Sequence, residues 1–367
     1  MLTSGGYIGA AVLSLGAGVG ISALVARRAL GVRGAALIAA TMVVAVWVVA
    51  FAARLAIAPW IPSDLVVVSA WLPLAIAMTL LSTFQTSVAI GAGELWTSVA
   101  NALVTGVIQV VAYTIAASSG AATASVAIAI WIAAQGTGAL VGWVALLLLS
   151  HVGARPSRSH VRELLHLSLA AFPGIVLGLA NLRLDVFLLG LWSPPAQVGL
   201  YSMAALGVSA LAMAPSALGQ ALTSRYGDPE ADPDSLLRRG MGVAFLVALG
   251  LGVIAVPAAW VVVPFVLGPK YAATVPMLWV LIPGFVLFST CYVSTSYVNV
   301  VMGRPWLAGR VVGVSLVVDM LLLVALAPKY GGMGAAAASS VAYAAGALLN
   351  LTQLRSVLFR RRGVVGA

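Results

Sequence analysis

Charged side chains that fall inside long apolar segments are the first candidates for chemistry in this sequence: Arg54, Arg183, Asp185 and Asp319. A charged group near the centre of a bilayer costs about 2.5–3.5 kcal/mol on insertion scales, so each one needs a partner, a wet cavity or a position near the interface. Arg183 and Asp185 are two residues apart, about 200° around a helix axis, so they do not face each other. Each therefore has its partner elsewhere.

Two interpretations of the segment around Arg183 remain open. In the first, Arg183, Asn181 and Asp185 line a hydrophilic cavity, where the fixed cation attracts a phosphate-bearing group and Asn181 adds a neutral hydrogen-bonding group. In the second, Arg183 and Asp185 tie their helix to neighbouring helices. Arg54 lies near the outer end of its segment, so we expect its side chain to reach the interface.

Asp319 is the remaining candidate. At about 1.5 Å per helical residue, Asp319 and Arg183 both lie roughly 20 Å from the cytoplasmic ends of their segments, in the outer half of a membrane. Asp319 is either a coupling residue that binds a proton or a cation, or a packed and hydrogen-bonded carboxyl. The sequence leaves both interpretations open.

The elements that position these residues are membrane-spanning helices. Of the 367 residues, 62% are hydrophobic and 8% are charged, which excludes a soluble globular domain. At about 20 apolar residues per span, the hydrophobic residues fill roughly eleven helices. Apolar runs lie near 6–26, 34–58, 65–89, 96–117, 124–149, 164–191, 197–220, 240–265, 274–298, 305–326 and 333–353. We therefore predict an all-α integral membrane protein with about 11 transmembrane helices.

Arginines predict the orientation, because positive charge accumulates on cytoplasmic loops. Most of the arginines lie in alternate loops, near 27–33, 155–162, 225–239, 304 and 355–362. This side of the protein, including the C-terminus, is predicted to be cytoplasmic.

The two halves of the sequence resemble each other. An offset of 210 residues superposes Pro73 on Pro283 and Trp96 on Trp306, two residue types that are rare in this apolar chain. If each copy holds an even number of six helices, the copies lie parallel and are related by an axis along the membrane normal.

The repeat divides the chain into three predicted parts. Residues 1–150 form an N-terminal bundle of five spans, 151–163 an amphipathic cytoplasmic linker, and 164–367 a C-terminal bundle of six spans with a basic tail. The first half is one helix short. We therefore expect that the ancestral first helix is missing from this sequence.

Other chemistry is not indicated. No Gly-rich phosphate loop ending in Gly-Lys-Ser/Thr is present, so ATP-driven work by this chain is not expected. The histidines within 151–166 lack the i,i+4 spacing of a helical metal pair, and we predict no metal site, no cofactor and no catalytic residue. The segment Asp232-Pro233-Asp234 is either a metal-binding pair or a helix start capped by Asp232 with Pro233 in the first turn; we predict the helix start.

Four stretches resemble one family of membrane proteins. They are RLDVFLLGLWSPPAQVGLYSMAAL from Arg183, FVLGPKYAATVPMLWVL from Phe265, YVNVVMGRPWLAGRVVG from Tyr297 and ALAPKYGGMGAAAASSVAY from Ala325. They resemble the polysaccharide and O-antigen flippases of the multidrug/oligosaccharidyl-lipid/polysaccharide exporter superfamily, over about residues 160–350. These stretches are packing and turn patterns rather than catalytic signatures.

The resemblance implies two pseudo-symmetric parallel bundles around a central cavity, with alternating access in a bacterial inner membrane. It implies a polyprenyl-diphosphate-linked oligosaccharide as cargo, moved to the outer leaflet for surface polysaccharide synthesis. Membrane lipid and a polysaccharide polymerase are the implied partners, and no nucleic acid or enzymatic step is expected. Arg183 is the residue that matches the cavity cations of the family.

Two other functions remain alternatives. A cation-coupled multidrug exporter of the same superfold needs ionisable residues in the cavity, which Asp185 and Asp319 could supply. A membrane-embedded polyprenyl-sugar transferase needs clustered acidic residues on one loop, which residues 228–234 could supply.

Overall fold

The computed structural model describes residues 9–60, 66–121, 123–149, 157–181 and 184–365, except the side chains of 67, 68 and 356–365. Within these ranges the chain is helical and contains no strand. The α-helices are α1 (Ala17–Ala26), α2 (Val32–Ile57), α3 (Val66–Ala92), α4 (Leu95–Ser118), α5 (Ala124–Leu149), α6 (Arg158–Asn181), α7 (Leu184–Trp192), α8 (Pro195–Tyr226), α9 (Pro233–Val262), α10 (Thr274–Tyr297) and α11 (Trp306–Val365). Short 3₁₀ turns lie at Ala58–Trp60 and Pro269–Tyr271, and π-helical turns at Val263–Leu267 and Val298–Met302.

The helices have the length and composition of membrane spans. Nine helical stretches in the described part of the chain are long and apolar enough to cross a membrane. The last of them, Trp306–Arg355, covers two predicted spans, because the backbone of Gly331 (φ 56°, ψ −134°) interrupts α11 between them. The predicted span 6–26 is described from residue 9, where 9–13 and α1 are helical. The predicted all-α, multi-pass membrane fold is confirmed.

Contacts divide the chain into two compact units. One comprises Met1–Phe172 and Thr223–Pro229, and the other comprises Pro173–Leu222 and Glu230–Ala367. One boundary falls inside α6, at its internal proline. The predicted domains remain a prediction, and residues 151–156 of the predicted linker lie outside the described residues.

In the first unit, α3 packs against α1, α2 and α5, and α4 packs against α5. A neutral polar cluster is buried there: Asn101 Nδ2 donates to Gln85 Oε1 at 2.9 Å, and Gln85 Nε2 donates to Thr97 Oγ1 at 3.1 Å. Gly142 on α5 leaves the space for this cluster, since a Cβ there would lie 2.7 Å from the amide carbon of Gln85. The amides satisfy each other without an ionised group.

Segment 223–229 packs against the end of α1. Arg28 Nη2 lies 3.8 Å from Asp228 Oδ1, and the two side chains are 72% and 42% exposed. The backbones approach so closely that a Cβ on Gly227 would collide with the carbonyl oxygen of Ala26. This backbone contact accounts for the place of 223–229 in the first unit, because an exposed ion pair adds little stability.

In the second unit, α10 packs against α9 and α11, and α11 also packs against α7. The start of α9 has the predicted form. Asp232 Oδ1 accepts hydrogen bonds from the backbone N–H groups of Asp234 at 3.1 Å and Ser235 at 3.3 Å, and Pro233 is the first helical residue. The predicted helix start is therefore confirmed, and the Asp232 carboxylate serves as its cap.

α10 and α11 cross at a position without a side chain. The Gly284 N–H donates to Ser340 Oγ at 3.1 Å, and a Cβ on Gly284 would collide with the carbonyl oxygen of Ser340. The nearby residues Ala336 and Ala338 are small and fully buried. This close approach places the neighbouring Ser339 in the interior of the unit.

Gly284→Ala should destabilise the second unit, because the added methyl group has no space beside Ser340. Overpacking of this kind costs about 1–3 kcal/mol, so the variant should unfold at a lower temperature in detergent. Gly250→Ala on α9 is the matched control, since nothing lies within 4 Å of a Cβ at that position and Ala is the better helix former. Equal unfolding temperatures for the two variants would contradict the described crossing.

Candidate functional site

Two carboxyl groups that the sequence singles out lie inside the second unit. Asp185, in the first turn of α7, is 6% exposed, and Asp319, on α11, is 3% exposed. Tyr201, which contacts Asp185, belongs to an apolar core that also includes Leu189 and Phe285. A carboxylate in such surroundings needs hydrogen bonds, a proton or a cation.

Hydroxyl groups connect the two carboxyls. Tyr201 Oη, on α8, donates to Asp185 Oδ2 at 2.6 Å, and Ser339 Oγ, in the second part of α11, donates to Asp319 Oδ1 at 3.0 Å. The two hydroxyl oxygens lie 2.9 Å apart. The other oxygen of Asp185 accepts the Val186 N–H at 2.7 Å. These four side chains form a continuous row, the carboxyl row, which joins α7, α8 and both parts of α11.

The carboxyl row has three oxygen-to-oxygen contacts but only two hydroxyl protons. When Tyr201 and Ser339 both donate to ionised carboxylates, no proton remains for the contact between the two hydroxyls. With one added proton on Asp319, that carboxyl donates to Ser339, and Ser339 turns its own proton to Tyr201. Tyr201 still donates to Asp185, so all three contacts are satisfied. The geometry therefore suits one exchangeable proton.

A cation is the alternative to that proton. The carboxyl row offers only oxygen atoms, the ligand type that hard cations prefer. The described residues contain no group of three or more His, Cys, Asp or Glu side chains that could hold a metal ion. Two carboxyls and two hydroxyls therefore suit a monovalent hard cation such as Na⁺ better than Ca²⁺ or Zn²⁺.

Of the other predicted site residues, Asn181 is not part of this row. Asn181 is the last residue of α6 and is partly buried. Residues 182 and 183 lie outside the described residues, so the role of Arg183 as a cavity cation remains a prediction. Tyr201 and Ser339 escape sequence reasoning, since hydroxyl residues are common in membrane helices. The available signal is that both lie in the stretches that carry the family resemblance.

Tyr201→Phe should destabilise the protein, because it keeps the ring but removes the hydroxyl that bonds Asp185. Loss of a hydrogen bond to a buried carboxyl group costs about 1–3 kcal/mol, which should lower the unfolding temperature in detergent. Tyr330→Phe is the matched control, because Tyr330 is 63% exposed and its hydroxyl should matter little. If both variants are equally stable, the carboxyl row does not stabilise the second unit.

Comparison with known proteins identifies the fold. No protein-family model matches the chain, and no curated protein sequence matches it. Among solved structures, a mutant of the Vibrio cholerae MATE transporter VcmN matches with a TM-score of 0.78 and 15% identity, over 97% of this chain and 89% of that chain. Another MATE mutant matches with a TM-score of 0.76 and 13% identity, over 97% and 86% of the two chains. A MOP superfamily transporter from Pyrococcus furiosus matches with a TM-score of 0.73 and 14% identity, over 97% and 86%. The chain therefore has the all-helical fold of the MATE transporters.

Proposed function

We propose that the chain is a cation-coupled exporter in which Asp185 and Asp319 together bind the coupling proton or cation. The observation that carries the proposal is the proton count of the carboxyl row, whose three contacts need one proton more than its hydroxyls supply. Ionisable groups inside membrane proteins are costly and are typically retained for ion or proton pathways. A pair linked by hydroxyls is suited to take up and release one positive charge, because its hydrogen bonds change with its protonation.

Loading and release of the ion change how strongly the helices are held together. With the proton or cation bound, α7, α8 and α11 share one satisfied network. After release, two carboxylates repel each other in a medium of low dielectric constant, which favours the movement of α7 away from α11. Export then proceeds by alternating access, in which ion binding shifts the population between two conformations.

An amphipathic drug-like molecule is the first candidate cargo. One solved structure of this fold is described as a multidrug resistance MATE family transporter of the MOP superfamily, with a TM-score of 0.73 and 14% identity. An exporter of this kind needs ionisable groups for coupling, and the second unit contains two. The basic loops indicate a cytoplasmic C-terminus, and the family resemblance implies a bacterial inner membrane.

A polyprenyl-diphosphate-linked oligosaccharide is the second candidate cargo. Three residues of the carboxyl row, Asp185, Tyr201 and Ser339, lie in the flippase-like stretches. In this function Arg183, with Asn181 nearby, binds the diphosphate, and a polysaccharide polymerase uses the translocated product. The lipid tail stays in the bilayer throughout, and no covalent step takes place.

Asp319→Asn should abolish ion-driven transport, because the amide keeps the side-chain shape but neither exchanges a proton nor neutralises a cation. Ion-driven transport is measured as efflux of a cationic fluorescent dye from proteoliposomes under an imposed Na⁺ or proton gradient. Stabilisation of the purified protein by Na⁺ or by acid gives a second readout that does not depend on the cargo.

Asp232→Asn is the matched control, since Asn caps a helix as well as Asp does. It should transport normally and respond to Na⁺ or acid like the wild type. Transport and ion response that survive in Asp319→Asn would remove the pair from the coupling mechanism. Loss of function in Asp232→Asn would favour the transferase alternative.

The two cargoes are distinguished by expression in two bacterial strains, one sensitive to drugs and one without its own flippase. We expect the protein to restore drug resistance and not surface polysaccharide, and we expect Arg183→Ala to leave resistance intact. Restored polysaccharide that Arg183→Ala abolishes at an unchanged protein level would instead identify the lipid-linked oligosaccharide as the cargo.

A further inference from the structure

A partly open cleft lies where α10 ends and α11 begins. The π-helical turn Val298–Met302 forms one wall, Leu307 and Val311 form another, and Asn350 and Leu354 from the last part of α11 close it. Its enclosed part has room for one water-sized group. The cleft belongs to the second unit, and its residues are not part of the carboxyl row.

Asn350 presents an unsatisfied donor in this cleft. The side chain is buried, with 6% of the residue exposed. Its Oδ1 accepts from Ser294 Oγ at 3.0 Å, while its Nδ2 is buried without a hydrogen-bond partner. A buried amide N–H without an acceptor is unfavourable. One acceptor oxygen from a bound molecule would both fit the enclosed space and satisfy Nδ2.

Three exposed arginines are each next to a cleft residue, one through a backbone hydrogen bond and two as neighbours in the sequence. The backbone N–H of Arg304 donates to the carbonyl of the cleft residue Val298 at 3.1 Å, Arg310 precedes the cleft residue at 311, and Arg355 follows the one at 354. In the described part of the chain, none of the three forms an ion pair. Asp319 is the one acidic residue between 291 and 355, and it is buried in the carboxyl row. Within this stretch of the chain, no exposed acidic residue balances the three arginines.

Trp306 indicates the membrane depth of this surface. The residue is 44% exposed, and the Arg310 guanidinium carbon lies 5.5 Å from the centroid of its ring. Tryptophan with a polar or charged neighbour is typical of the headgroup layer. The basic loops predict that this layer is the cytoplasmic one, where anionic lipids are concentrated.

We propose that this cleft binds the headgroup of an anionic phospholipid. The lipid phosphate lies among Arg304, Arg310 and Arg355, whose guanidinium groups donate to its oxygens. An ester or glycerol oxygen of the same lipid accepts from Asn350 Nδ2. The apolar side chains of the cleft contact the glycerol and the first acyl carbons, which a free phosphate ion does not have.

Native mass spectrometry of the purified, delipidated full chain tests this site with phosphatidylglycerol, phosphatidylcholine or inorganic phosphate. We expect phosphatidylglycerol alone to be retained. Arg304→Gln combined with Arg310→Gln should weaken its retention by roughly 25-fold, since each Arg near an anionic headgroup corresponds to about a factor of five. Lys270→Gln is the matched control, because it removes another exposed cation beside an aromatic ring, 5.2 Å from the centroid of Tyr271.

Asn350→Leu is a second variant that removes the donor and keeps a similar volume, and it should also weaken retention of phosphatidylglycerol. The arginine variant changes only exposed side chains, so it tests the site even if Asn350→Leu does not fold. Equal retention of phosphatidylcholine, binding of inorganic phosphate in place of lipid, or the same loss in Lys270→Gln would overturn the proposal.

Discussion

A carboxylate inside an apolar helix bundle must be hydrogen-bonded, protonated or paired with a cation, and the interior of the second unit is arranged around this constraint. Asp185 and Asp319 meet it together, through the hydroxyls of Tyr201 and Ser339. Each hydroxyl bonds one carboxyl and contacts the other hydroxyl, so the same row of hydrogen bonds connects α7, α8 and α11. Because the row is one proton short, it can take up one positive charge, and release of that charge weakens the connection between α7 and α11.

The packing of small residues makes this row possible. α10 approaches α11 closely at Gly284, and the buried alanines beside Ser339 allow its hydroxyl to reach the interior. Among the described residues of the first unit, the buried polar cluster is different, since Gln85 and Asn101 are neutral amides that bond each other. A neutral amide cluster has no charge to exchange. This difference between the units supports the assignment of the coupling ion to the second one.

The helices could be predicted from the sequence, because a membrane span needs only sufficient length and hydrophobicity. The cap at Asp232 could be predicted because its bonds are local. Asp185 and Asp319 could be singled out, since a charge inside an apolar run is visible in the sequence. The connection between the two carboxyls could not be predicted, because it depends on how α7 packs against α11. It also depends on the hydroxyls of Tyr201 and Ser339, which are common residue types in membrane helices. Periodicity and composition do not contain that information.

Infrared difference spectroscopy on the purified protein tests the central claim most directly, because it detects the protonation of carboxyl groups themselves. We predict that raising the pH or adding Na⁺ converts one protonated carboxyl into a carboxylate, and that this change is absent from Asp185→Asn and Asp319→Asn. No change in the carboxyl bands of the wild type, or the same change in both variants, would contradict the account.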